Sequence, residues 1–215
     1  MTEVIEKHRS HGPHIQLSDS IIFLTWRLAF TLPQHIKEVF NEIKKTTSDI
    51  EKKSYLLKFR NWDKHSYKIF LQYDEHLGKY QHSGLSLNEP AVSKIIKTAF
   101  HHYDGDKYLL HAYCIMSNHV HLVLKPCKDK RESCCRISHI VRKIKSFSGK
   151  EINTLQNTEG QLWDNFYFDR MIRDYDDYRS VINYVLNNPV KAGLVDDWQK
   201  WKDSYFNPEL MAGFI

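Results

Sequence analysis

An α+β fold, with helices packed against an antiparallel sheet, is predicted by three features of this sequence. Short runs rich in β-branched and aromatic residues are separated by stretches with helical periodicity. Two of those runs, Tyr108 to Met116 and His119 to Lys125, are joined only by Ser117 and Asn118, the length of a hairpin turn. The order strand, helices, strand, strand, helix, strand, helix then places helices on an antiparallel sheet.

Residues 1 to about 19 read as a flexible leader. Ile21 to Phe30 (IIFLTWRLAF) reads as the first strand and stops at Pro33, with a helix from about Leu32 carrying Ile36, Val39, Phe40 and Ile43 at helical spacing. A lysine-rich piece, Lys44 to Lys58, leads into a second amphipathic stretch through Tyr67, Phe70 and Leu71. The weakly patterned Asp74 to Leu87 reads as a connection. Asn88, Glu89 and Pro90 form a helix start, with Val92, Ile95, Ile96 and Phe100 on one face. Asp104, Gly105 and Asp106 make the turn into the hairpin strands. From Ser138 to Ile152, Ile140, Ile144 and Phe147 alternate with Arg142, Lys143 and Lys145, which predicts a basic amphipathic helix. Leu162 to Ile172 reads as a fourth strand, and Asp174 opens a last helix that Pro189 ends.

Composition narrows the class. The 215 residues, 41% hydrophobic and 27% charged, fit one globular core and exclude a disordered, collagen-like or disulfide-stapled chain. Domain expectations are a leader over 1–19, a core over 20–196 and a C-terminal extension over 197–215. A formal net charge of +5 permits a polyanionic partner without requiring one. No run of eighteen apolar residues exists, and the polar N-terminus lacks the apolar core of a signal peptide, so the expectation is a cytoplasmic protein with no membrane partner. Cys114, Cys127, Cys134 and Cys135 then read as free thiols, and no C-x-x-C pair supports a zinc site.

The chemistry-bearing residues are weak signals one at a time. His119 and His121 lie two apart on a strand, so both imidazoles face the same side, suited to a divalent metal. Thirteen histidines in 215 positions nevertheless produce about one such pair by chance. On spacing alone, two half-buried, hydrogen-bonded histidines are the better account. Tyr184 and Asn188 are four apart on the last helix and share a face; a tyrosine can be a nucleophile and an amide oxygen a metal ligand. The plainer account has Tyr184 packing on the sheet and Asn188 capping the helix. Asp169, Arg170, Arg173 and Asp174 follow the fourth strand, where charged groups are usually solvated.

Taken in order, MSNHVHLVL, GQLWDNFYFDRMIRD and INYVLNNPVKAGLV resemble the HUH single-tyrosine transposases, most closely the REP-associated tyrosine transposases. FLTWRLAFTLP and DGDKYLLHAYCIMSNHVH extend the resemblance over about residues 20 to 196. The resemblance implies a ferredoxin-like fold. It assigns His119, His121 and Asn188 to a divalent metal, Mg²⁺ or Mn²⁺, and makes Tyr184 the nucleophile toward single-stranded DNA. The reaction implied is transesterification through a 5′-phosphotyrosine, with hairpin-forming repeats as the ligand. Lys143, Lys145, Arg170 and Arg173 become candidates for phosphate contacts near the metal. Trp26, Trp163 and Tyr167 could stack unpaired bases, although a core role suits Trp163 better. Relatives that exchange the tyrosine helix between subunits leave a homodimer open. The alternative function is a hairpin-DNA-binding protein that no longer transposes.

Overall fold

A computed structural model describes residues 4–9, 13–29, 70–71, 74–75, 77, 84–128 and 134–213, with backbone alone at 4–9, 13–15 and 211–213. The helices expected over about 32–69 lie outside the described residues.

The sheet is built from β3 (Ile22–Arg27), β4 (Tyr108–Ile115), β5 (His119–Pro126), β6 (Phe168–Met171) and β7 (Ser204–Phe206), preceded in the chain by β1 (Val4–Arg9) and β2 (Pro13–Leu17). Its spatial order is β6-β3-β5-β4-β7, every neighbour antiparallel. With α1 (Pro90–His101) before β4 and α2 (Ile137–Gln156) between β5 and β6, the first four sheet strands follow the β-α-β-β-α-β order of ferredoxin-like folds. After them come α3 (Tyr175–Leu186), the short α4 (Asn188–Lys191) and β7.

Strand alternation sorts the core into two layers. Leu24, Trp26, Val120, Leu122 and Leu124 face α1 and α2, meeting Ile96, Phe100, Ile140 and Ile144. Phe23, Ala112, Cys114 and Val123 face the other way, against Val181, Ile182 and Val185 of α3. His119 and His121 belong by the same alternation to the α3 side.

Local chemistry explains several boundaries. Pro90 opens the first turn of α1, where its missing N–H costs nothing. The hairpin closes through Met116 N–H to the His119 carbonyl at 2.9 Å. Pro189 does more than stop a helix: α3 ends at Leu186, and after Asn187 the proline sits in the first turn of α4, so Asn188 begins a new helix instead of ending the old one. The strand expected over Leu162 to Ile172 is regular only at Phe168–Met171, with an isolated bridge from Trp163 to Leu28.

Three stretches differ more. The expected leader contains a paired β1–β2 ladder. Its Gln16 side chain is buried, donating to the Cys135 carbonyl (2.8 Å) and accepting from the Ile137 N–H (2.9 Å), where it satisfies an open donor at the start of α2. The expected connection after Asp74 begins as helix, with Phe70, Leu71, Asp74, Glu75 and Leu77 all helical. The C-terminal extension supplies β7, which covers the outer edge of β4.

Candidate metal and tyrosine site

The site is assembled from three parts of the chain that sequence distance does not connect. β5 contributes His119 and His121, fully buried beneath α3. The segment around residue 74 contributes Asp74, also buried. Tyr184 comes from α3 and Asn188 from α4.

Their functional atoms converge. The two Nε2 atoms are 3.1 Å apart. Asp74 Oδ1 lies 3.5 Å from His119 Nε2, and Asp74 Oδ2 lies 3.4 Å from His121 Nε2. Asn188 Nδ2 donates to Asp74 Oδ2 at 3.1 Å and to His121 Nε2 at 3.0 Å. The Tyr184 hydroxyl donates to Asp74 Oδ2. Nucleophile candidate and metal-ligand candidates therefore share one carboxylate.

The other ring nitrogens are held from behind. His119 Nδ1 donates to Asn118 Oδ1 at 2.6 Å, and Asn118 is fixed in turn by its Nδ2 donating to the Leu77 carbonyl at 3.0 Å. His121 Nδ1 meets Thr25 Oγ1 at 2.8 Å across the β3–β5 pair. Since His121 Nε2 accepts from Asn188, its Nδ1 carries the proton and donates to Thr25. Both Nε2 lone pairs thus point at Asp74 and at each other. Burial pushes the His119 pKa down to about 4, against the pull of Asp74, so that ring is neutral at pH 7. The Asp74 pKa is lowered: burial opposes ionisation, but a proton on the facing imidazole of His121 or His119 and the hydrogen bond from Tyr184 favour the carboxylate.

This donor set fits a divalent cation. Asp74 Oδ1 is buried without a hydrogen-bond partner among the described residues. Two imidazole lone pairs and a carboxylate crowd one point, an arrangement that a cation relieves. The ligand atoms of Asp74, His119 and His121 all lie within 4.8 Å of one another. Turning the Asn188 amide over would present its Oδ1 to the same point. Aromatic rings wall the site: Phe23 stacks on His121 at 5.9 Å, and Phe70 meets Tyr184 edge-on at 6.2 Å. The Lys191 ammonium lies 4.3 Å from the Tyr184 ring centroid.

The four residues expected from sequence, His119, His121, Tyr184 and Asn188, are brought together. Asp74 went unrecognised, because an aspartate in a weakly patterned segment has no spacing relation to a histidine pair more than forty residues on.

Of the expected phosphate contacts, Lys143 and Lys145 do not join the histidines. Lys143 and Lys145 stand on α2, across the sheet from the histidines. Lys145 donates to the carbonyls of Asp164 (2.8 Å) and Phe166 (2.7 Å), and burial lowers its pKa to about 8. Arg170 is buried and paired in a fork with Asp177, at 2.9 and 2.6 Å. Arg173 is exposed at the mouth of α3. Trp26 and Trp163 lie in the core, 2% and 5% exposed, and do not face solvent to stack bases. All four cysteines are free thiols. No helix among the described residues is long and apolar enough to cross a membrane.

Comparison with known proteins places the chain in a family. The family profile described as "Transposase IS200 like" matches residues 78–188, which spans both histidines, Tyr184 and Asn188 and begins just after Asp74. A curated Haemophilus influenzae protein named for the REP-associated tyrosine transposases is 26% identical over 106 residues, 47% of this chain and 60% of that protein, so the match spans little over half of the relative's length. A solved structure of a REP-associated tyrosine transposase bound to a REP hairpin superposes with a TM-score of 0.54 at 16% identity, covering 98% of this chain and 87% of that one, a likeness of fold. With the profile accounting for more than half of its residues, the chain belongs to the IS200-like transposase family.

Proposed function

We propose that this chain cleaves and rejoins single-stranded DNA beside a hairpin-forming repeat, with Tyr184 as nucleophile and a divalent ion, Mg²⁺ or Mn²⁺, held by Asp74, His119, His121 and Asn188. The observation that carries the reading is the Tyr184 hydroxyl hydrogen-bonded to the same carboxylate that faces both histidines. The curated relative's name and the hairpin-bound structural neighbour support the choice of DNA.

In the proposed step the Tyr184 oxygen attacks a backbone phosphorus. The bond to the 3′ oxygen breaks, leaving a 5′-phosphotyrosine, and the phenolic proton is balanced by protonation of the departing 3′ oxygen. Attack by a 3′-hydroxyl reverses the step, so the bond energy is kept and no nucleotide cofactor is consumed. A free phenol with a pKa near 10 is only about one part in a thousand ionised at pH 7, so the attacking oxygen needs help. Asp74 orients its proton, and Lys191 over the ring favours negative charge on it. A bound divalent ion would polarise the scissile phosphate and offset charge on the leaving oxygen. Thr25 and Asn118 keep both imidazoles turned with their lone pairs inward.

Tyr184→Phe separates this reading from a hairpin-DNA binder without transposition activity. With a labelled hairpin oligonucleotide and Mn²⁺, the wild-type chain should form a covalent adduct, and the variant should form none while binding the hairpin within about twofold of wild type. Adduct formation at an undiminished rate in the variant would place the nucleophile elsewhere; tight binding with no adduct from the wild type would favour the binder.

A further inference from the structure

The chemistry proposed for Tyr184 brings two negative charges to one place. Its hydroxyl donates to the Asp74 carboxylate, and a DNA phosphodiester approaching that oxygen adds a second anion beside the first. Two of the cations expected from sequence do not answer this, since Lys145 is held by backbone carbonyls and Arg170 by Asp177. Lys191 is exposed and, among the described residues, has no ion pair.

Local structure fixes where that ammonium stands. Pro189 sits in the first turn of α4, and Asn188 and Lys191, three apart, lie on the same side of that turn. The turn is closed by the Ala192 N–H to the Asn188 carbonyl at 3.0 Å and the Gly193 N–H to the Val190 carbonyl at 2.9 Å. Gly193 takes a φ of +70°, the left-handed geometry in which helices end at glycine. Asn188 is thereby directed to Asp74 and His121, and Lys191 to the neighbouring tyrosine. Phe23, Phe70 and His121 meet the Tyr184 ring edge-on, with centroids 6.1, 6.2 and 5.7 Å away. Lys191 Nζ stands over that ring, 4.3 Å from its centroid. A lysine stem is flexible and its ammonium has three donors, so it can serve the ring and a phosphate oxygen together.

We propose that Lys191 is a catalytic residue: its ammonium holds a non-bridging oxygen of the scissile phosphate and so docks the phosphorus in front of the Tyr184 oxygen. This rests on the tyrosine-nucleophile reading above and deepens it by naming the group that receives the phosphate anion. The ammonium keeps its protons throughout. The bond from the Tyr184 oxygen to phosphorus forms, the bond to the 3′ oxygen breaks, and loss of the phenolic proton is balanced by protonation of the departing oxygen. Attack adds electron density to the non-bridging oxygens, so the contact strengthens toward the transition state and acts on rate more than on affinity. The two polar side chains of α4 thus divide the work, buried Asn188 on the histidine side and exposed Lys191 on the side open to DNA.

The test uses the full chain, Mn²⁺ and a hairpin-bearing strand, with adduct formation followed in a single turnover at saturating DNA. Lys191→Gln should slow adduct formation by about a hundredfold while the Kd for the strand changes by less than about fivefold, and Lys191→Arg should recover most of the rate. A second strand carries a methylphosphonate at the scissile position, with its two stereoisomers separated. On the isomer whose methyl group replaces the oxygen held by Lys191, wild type and Lys191→Gln should react within about threefold of each other. On the other isomer the defect of the variant should persist. Adduct formation by Lys191→Gln at the wild-type rate would overturn the proposal. So would an equal loss on the phosphodiester and on both isomers, the mark of a lysine that only packs on the ring. Either result leaves the tyrosine reading standing, because an adduct is still made. No adduct from the wild type on the phosphodiester strand would overturn that reading and this inference with it.

Discussion

Hydrogen bonds on the far side of each imidazole decide what His119 and His121 present to the site. Asn118 and Thr25 take the Nδ1 protons, leaving two Nε2 lone pairs beside a buried carboxylate. Removing the Thr25 hydroxyl by Thr25→Val keeps the volume but frees the His121 ring to turn. Mn²⁺ affinity measured by calorimetry should fall by about tenfold to a hundredfold, the range for loss of such outer partners. Unchanged affinity would mean that Phe23 and Asn188 hold the ring without it. A histidine outside the site also contributes to acid stability. His111 is buried at the β4 bulge, its Nδ1 2.9 Å from the Tyr178 hydroxyl of α3. Burial, with Lys125 adding to it and Asp104 opposing, lowers its pKa from 6.5 to about 4. The unfolded chain therefore takes up a proton at pH values where the folded one does not. This group's contribution is full above about pH 6.5 and is lost as pH falls toward 4, by up to about 3 kcal/mol. Denaturant titrations should show a shallower loss over that window in His111→Gln than in wild type.

At the level of elements, α3 is anchored at its first turn by charges that in sequence look solvated. The Asp174 side chain accepts from the Asp177 N–H at 2.8 Å, and Asp177 clasps the buried Arg170 guanidinium of β6. Asp177→Ala takes the bidentate partner from a buried cation and should cost about 3 kcal/mol in chemical denaturation. A loss below about 1 kcal/mol would mean that water reaches Arg170. This pair also marks where sequence reading runs out. Helix starts were legible at Asn88-Glu89-Pro90 and at Asp174, and the β4–β5 hairpin from its two-residue connection, because those signals are local. Whether Arg170 and Lys145 face phosphate or protein depends on partners brought in by packing, seven residues away for Asp177 and nineteen or more for the carbonyls that hold Lys145. Phe147 fitted the apolar spacing of α2, yet Ile140, Val141, Ile144, Ser148 and Ile152 already fill the buried face. Asp74 was invisible for the opposite reason: nothing local distinguishes a buried ligand from a surface aspartate.

For the whole molecule, the sheet is a partition. The ferredoxin-like order, with helices α1 and α2 over one face, leaves the other to α3, and the alternation along β5 delivers His119 and His121 to that second face. β7 joins the same sheet from the far end of the chain, so the C-terminal stretch is part of the architecture around β4. Among the described helices, α1 and α2 carry six cationic side chains against the single carboxylate of Glu151. On the α3 face, the proposed function requires that Tyr184 become covalently joined to DNA. The full chain is incubated with a 3′-labelled single strand carrying a hairpin in Mn²⁺, resolved on a denaturing gel, and the shifted band is digested and sequenced by mass spectrometry. The expected result is a nucleotide phosphate on the peptide containing Tyr184, and a free 3′-hydroxyl on the released fragment. Cleaved DNA with no protein attached, or an adduct on any other residue, would contradict it.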